Sequence, residues 1–172
     1  MKHPVIIFVI FMLTVFLMNN NTWPQEQAGI HIDNLTNDSD VATITLKDGY
    51  FRLVLENGTI RAEGTVKNHK KEGGWKFYFR DSSPAQIEYA GSYRNDLKHG
   101  PWTTYHRDGK IKDKLSYTNG MINGPVSTFS NSGLPVSEIW YKKGKIDGVY
   151  REYYPNGNPK EISLYSGGIK NG

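Results

Sequence analysis

HGPWTTYHRDGKI, His99 to Ile111, sets a Gly-Pro-Trp three residues ahead of a Tyr and closes on Asp-Gly. Its outline returns downstream as NGPVSTFSNSGLP (Asn123–Pro135) and DGVYREYYPNGNP (Asp147–Pro159). Taking Gly100 as an origin, Gly124, Gly148 and Gly172 follow at intervals of 24. Trp102, Val126 and Tyr150 lie two residues after an origin, and Tyr105, Phe129 and Tyr153 lie five after. Gly109, Gly133 and Gly157 lie nine after, Tyr117, Tyr141 and Tyr165 seventeen after, and Gly120, Gly144 and Gly168 twenty after. Agreement in this many columns over three units is the signature of a tandem repeat.

The register extends backwards. Gly73 carries Trp75 and Tyr78 at the right offsets, and three extra residues near Arg80–Gln86 then push Tyr93 and Asp96 into the next Tyr and Gly columns. Gly49 carries Phe51, Val54 and Gly58, with Val66 and His69 in the later columns, and reads as a degraded capping unit. A short strand, Val41 to Leu46, is expected to pair onto it.

Turn chemistry says what each unit folds into. Asn57-Gly58, Asp108-Gly109, Ser132-Gly133 and Asn156-Gly157 sit between short runs of strand-favouring residues. Such pairs suit tight hairpins in which both central residues take positive φ. A second turn falls at Asn119-Gly120, Lys143-Gly144 and Gly167-Gly168. Each unit is therefore strand, turn, strand, turn, and Pro101, Pro125, Pro135 and Pro159 fall at strand ends, where a missing N–H costs least. The fold class is all-β: tandem antiparallel β-hairpin repeats of 24-residue period, stacked into an elongated single sheet and preceded by an N-terminal hydrophobic helix. One hairpin cannot bury its apolar face alone, so neighbouring units must stack. Spaced by an odd number, the plus-two and plus-five aromatics fall on opposite faces of a regular strand, and on one face if a bulge intervenes; both arrangements stay open.

With 172 residues the chain has room for one ordinary domain. Lys2 and His3 precede the apolar run Val5 to Met18. As a helix these residues would span about 21 Å, short of the ~30 Å hydrocarbon core. Residues 1–21 thus read as a signal peptide or N-terminal membrane anchor, 22–40 as a flexible polar linker, and 41–172 as the repeat domain, with units starting near 49, 73, 100, 124 and 148. No A-x-A-like pair marks a cleavage site, so an uncleaved tether stays open. The body is expected outside the cytoplasm, periplasmic, secreted or anchored.

With the columns in view, the chain resembles the bacterial MORN-repeat variant proteins, a group that includes the YwqK-like antitoxins. The resemblance rests on G-x-W-x-x-Y-x-x-D-G-K in Gly100 to Lys110, on Tyr-x-x-Gly in Tyr117 to Gly120, and on their counterparts. It implies a β-hairpin sheet used as a scaffold or protein-interaction module, with an antitoxin or immunity role compatible with an exported toxin. It carries over no catalytic residues.

The residues select no chemistry either. Zero cysteines exclude a disulfide framework, a thiolate nucleophile and a cysteine zinc site. His3, His31, His69, His99 and His106 show no ligand spacing, carboxylates such as Asp108, Asp113, Glu138, Asp147 and Glu161 occur singly, and Ser127 and Ser137 lack a nucleophile elbow. The chain is read as no enzyme, with no cofactor and no metal. A net charge of +4, with signs interspersed, falls short of a nucleic-acid signature.

The candidate interaction surface comprises Trp102, Tyr105, Tyr117, Tyr141, Tyr150, Tyr153, Tyr165, Lys142 and Lys143. These aromatics read first as core ladders. The alternative is a platform for envelope glycan or lipid, by stacking and cation–π attraction. Lys70, Lys71, Lys98, Lys142, Lys143, Lys145 and Lys170 recur in the turns before each origin, read as solvated edge lysines or as a basic edge facing an anionic surface. The strand near Pro159 to Tyr165 is expected to present an unpaired edge to a protein partner or a second copy.

Overall fold

The structure, a computed structural model, describes residues 46–55 and 58–171. The hydrophobic segment, the polar linker, all of the expected Val41–Leu46 strand except Leu46, and Asn57 of the first Asn-Gly turn lie outside the described residues.

The described strands belong to the unit Ile44–Gly172. They are β1 (Gly49–Val54), β2 (Ile60–Lys67), β3 (Lys70–Tyr78), β4 (Ile87–Arg94), β5 (Leu97–Tyr105), β6 (Ile111–Thr118), β7 (Met121–Ile122), β8 (Gly124–Phe129), β9 (Pro135–Lys142), β10 (Lys145–Tyr153), β11 (Pro159–Ser166) and β12 (Ile169–Lys170). All are antiparallel in one open sheet, each beside its neighbours in sequence, with β7 pairing β6 as a short offshoot before β8.

The two turn columns use different geometries. The plus-twenty turns place both central residues at positive φ: Asn119 and Gly120 at 50° and 80°, Lys143 and Gly144 at 50° and 78°. The irregular early units keep this geometry with Asn68-His69 and Asn95-Asp96, Asn being among the non-Gly residues that tolerate it best. The plus-nine turns depart from the expectation. At Gly109, Gly133 and Gly157 only the glycine of the pair turns left-handed, with φ of 82° at Gly109. The amide of Gly109 donates to the His106 carbonyl at 2.9 Å and that of His106 to the Lys110 carbonyl at 2.8 Å. This is a type I turn closed by a glycine bulge, and the same pair of bonds recurs around Gly58, Gly133 and Gly157.

Origin glycines mark a corner. Between β4 and β5 the register passes from Gly91↔Trp102 to Ser92↔His99, so Gly100 and Pro101 are extra on β5. Gly100 has φ of 72°, which a side chain would strain. The same skip occurs at Gly73 and Gly74 between β2 and β3. Each plus-twenty turn then leans on the unit before it: the amides of Asp96, Gly120, Gly144 and Gly168 donate to the carbonyls of Lys71, Lys98, Ile122 and Ile146.

A column just before each origin supports these turns, and the sequence reading missed it. Asp48 accepts from the amides of Asn68 and His69, Glu72 from Asn95, Asn123 from Lys143, and Asp147 from Gly167. In the third unit this position is His99, whose buried Nδ1 has no hydrogen-bond partner. His99→Asn is expected to supply the acceptor that Asn123 provides one unit later. Chemical denaturation should show a gain of about 1 kcal/mol.

The core lies on one face. A row of cross-strand neighbours runs Phe51, Gly64, Trp75, Gly91, Trp102 and Leu115. It resumes as Val126, Ile139, Tyr150 and Ser163. Beside it runs the plus-seventeen column Val66, Tyr93, Tyr117, Tyr141 and Tyr165, with the first four buried.

Candidate interaction surface

On the aromatic face, small opposes large. Gly64 and Gly91 lie directly under the Trp75 and Trp102 indoles, and those rings donate through Nε1 to the carbonyls of Thr65 and Ser92 at 3.0 and 3.1 Å. Trp102 meets Tyr93 edge-on at 5.1 Å between centroids and Tyr117 at 6.1 Å. The Lys98 ammonium sits 5.0 Å from the Trp102 ring centre, and that of Lys71 lies 4.3 Å from Tyr93. These turn lysines thus cover core rings with their stems and heads.

Of the candidate surface residues, Trp102, Tyr117 and Tyr141 are therefore buried and belong to the core. Tyr150 and Tyr165 are half-buried on the same face, 5.9 Å apart. Lys142 and Lys143 are exposed at a plus-twenty turn.

The plus-five residues point the other way. Tyr78 donates to Glu63 at 2.6 Å and Tyr153 to Glu138 at 3.3 Å. Glu63 pairs across the sheet with Arg52 and Lys76, one position out of phase with the Gly64 row, so it lies on the opposite, polar face. Odd spacing thus separates the plus-two and plus-five aromatics onto opposite faces, and the irregularity that follows each plus-four residue does not reunite them.

A second row crosses this polar face: Arg52, Glu63, Lys76, Ala90, Thr103, Lys114, Ser127, Glu138, Arg151 and Ile162. Ion clusters stand towards its two ends. Glu63 accepts from the Tyr50 and Tyr78 hydroxyls, both at 2.6 Å, and from the Arg52 guanidinium at 2.9 Å. Those hydroxyls first, then Arg52, hold its carboxyl down at about 2. Burial, and then the bond to Glu63, pushes the Tyr78 hydroxyl up to about 12. Towards the other end, Glu138 takes the Tyr153 hydroxyl and Arg151, both at 3.3 Å.

The depressed carboxyl of Glu63 has a consequence for stability. A carboxylate stabilised by folding contributes above its unfolded value and loses that contribution as pH falls through its folded one. Thermal melts should show stability falling between the ordinary value of 4.5 and about 2, and Glu63→Gln should flatten the slope in that window. An unchanged slope would mean that other carboxylates carry the acid sensitivity.

Between the clusters the row holds Lys76, Ala90, Thr103, Lys114 and Ser127. Lys76, Ala90, Thr103 and Tyr105 line an open trough of about 480 Å³, bounded on one side by Glu63 and Tyr50. Beyond it the polar face carries exposed Trp140, Ile162 and Leu164. β11 pairs with β10 from Pro159 to Tyr165, whereas β12 pairs with it only at Tyr165 and Ser166.

Among the described residues no three His, Asp or Glu side chains converge as metal ligands. His69 Nδ1 meets the Leu46 carbonyl and His106 Nε2 the Phe129 carbonyl, both at 2.9 Å. Asp113, although buried, is held by the hydroxyls of Thr104 and Thr128 as part of the hairpin stack.

This stack of two-turn hairpin units defines a β-repeat module. Residues 98–119 and 146–166 match the family model described as MORN repeat variant. These matches support a MORN-repeat protein. The units at Gly49, Gly73 and Gly124 share the same turns and rows outside the matched segments. No curated protein matches the chain.

Proposed function

We propose that the chain is an exported, non-catalytic repeat module that works by binding a protein partner, in the manner of an immunity protein or antitoxin. One observation carries the reading: the sheet buries most of its plus-two and plus-seventeen rings and leaves the polar face open, with Trp140, Ile162 and Leu164 46%, 63% and 56% exposed there. Exposed apolar groups on a face that also holds ordered ion clusters are the composition of a docking surface. MORN repeats in general bind proteins or membranes. Export rests on the apolar run from Val5 to Met18, cleaved as a signal or kept as a tether. The incompletely paired β11 edge supports strand addition by the partner or by a second copy.

The test is capture by the tagged full chain from the envelope fraction of its own cell, with glycan and lipid vesicles assayed beside it. One stoichiometric protein is the expected result, and it leads to an assay for neutralisation of that protein's toxicity. Retention of glycan or lipid alone would overturn the reading. Ile162→Pro in the captured system decides the edge, since affinity unchanged by this substitution excludes strand addition at β11.

A further inference from the structure

The plus-five hydroxyls repeat a rule. Each one that bonds does so to the residue fifteen positions earlier, and that residue is a carboxylate: Glu63 for Tyr78, Glu138 for Tyr153. In the fourth unit both members change together. Phe129 has no hydroxyl, and fifteen residues before it stands Lys114, whose ammonium lies 6.0 Å from the ring centre. The third unit breaks the rule. Tyr105 keeps its hydroxyl, while the acceptor position is Ala90. The trough lies over that missing side chain.

What remains in the gap is a set of donors. Lys76 and Thr103 flank Ala90 directly on the two neighbouring strands, and Tyr105 joins them in the trough lining. Among the described residues, the side chains of Lys76, Thr103 and Tyr105 have no hydrogen-bond or ion-pair partner. An ammonium and two hydroxyls therefore face an opening of about 480 Å³ without a bond to the Glu63 carboxylate on its wall. The Glu63 charge on the trough wall is met by Arg52, so Lys76 leaves the opening positive.

We infer that this trough binds a carboxylate side chain, Asp or Glu, presented by an extended acidic segment of a protein partner. The partner supplies from outside the group that Glu63 and Glu138 supply from within. The trough offers one uncompensated positive charge, which the single charge of a carboxylate balances, whereas a phosphoryl group brings about −1.5 to −2 and would leave negative charge unmet. An open trough covers too little of a free small acid to hold it, so the carboxylate arrives on a chain that also crosses the sheet face. The inference rests on the protein-binding function proposed above.

The experiment titrates the ¹⁵N-labelled full chain with a capped Gly-Gly-Glu-Gly-Gly peptide and with its Gln counterpart. The Glu peptide should move the amide resonances of Lys76, Ala90, Thr103 and Tyr105, with the Gln peptide binding about tenfold more weakly or not at all. Ala90→Glu fills the gap internally and should abolish the shifts while leaving the melting temperature equal or higher, which separates lost binding from lost fold. Tyr105→Phe should weaken binding by about tenfold. Equal shifts with both peptides, or binding that survives in Ala90→Glu, overturns the site. Partner capture is then compared between wild type and Ala90→Glu. A protein captured equally by both removes the trough and leaves the module reading standing. Peptide binding without any captured protein keeps the trough and removes the function.

Discussion

Gly91→Ala is expected to destabilise the domain by about 3 kcal/mol or more, at or above the upper end of the usual cost of overpacking a core. A Cβ at this position would stand 2.1 Å from the Trp102 ring, far inside any permissible contact. Gly91 has no positive φ, so the cost is steric rather than conformational. Trp102 is 2% exposed and has nowhere to retreat, because Tyr93 and Tyr117 meet it edge-on and Phe77 stacks beside it. A loss of this size is a large share of the total stability of an ordinary domain. The remedy is visible in the same row, where the plus-two residue one unit later is Val126. Trp102→Val in the Gly91→Ala background should therefore recover part of the loss, and urea denaturation of the four variants should give a coupling energy of at least about 1 kcal/mol. Strict additivity would mean that the two residues do not share a site.

Trp102→Ala is the second large effect. It removes the most deeply enclosed ring of the row, its bond to the Ser92 carbonyl at 3.1 Å, and the cover of Lys98. About 3–5 kcal/mol is expected. Two controls sharpen the reading. Trp140→Ala, at a side chain 46% exposed, should cost about 1 kcal/mol or less. Tyr105→Phe should leave stability within about 0.5 kcal/mol, because its hydroxyl has no bond to lose. If Trp140 proved as costly as Trp102, the assignment of the aromatic columns to the core would fail.

These effects separate what the sequence discloses from what it hides. The 24-residue period, the two turns per unit and the all-β sheet were all legible, because glycine and Asx residues recur where the backbone turns. The plus-nine turns differ in type from the expectation because an Asp-Gly or Asn-Gly pair fits both a two-residue loop and a three-residue loop with a glycine bulge. Loop length distinguishes them, and loop length depends on register. The faces of Trp102 and Tyr105 were undecided for the same reason.

Gly64 and Gly91 matter through a neighbour on the next strand, eleven positions on, and no local pattern signals that. Two columns were readable but went unread. The residues just before each origin, Asp48, Glu72, His99, Asn123 and Asp147, are polar throughout because four of them hold turn amides. Of the residues ten before each origin, Glu63 and Glu138 face a plus-five Tyr, Lys114 faces Phe129, and Ala90 faces Tyr105 without offering an acceptor. That second column carries the candidate site, and aligning the units on it would have singled out Ala90. The aromatics carry the louder signal, but Trp102, Tyr117 and Tyr141 are spent on the core. Aromatic content alone cannot tell a rung from a platform, since both use the same rings at the same spacing.

The measurement closest to the central claim is quantitative capture of a protein partner by the full chain, run side by side for wild type and Ala90→Glu with folding checked by the same melts. The account predicts one stoichiometric protein on the wild type and its loss, by about tenfold or more, on a variant that is folded at least as well. A chain that captures no protein, and retains only lipid or glycan, would contradict it.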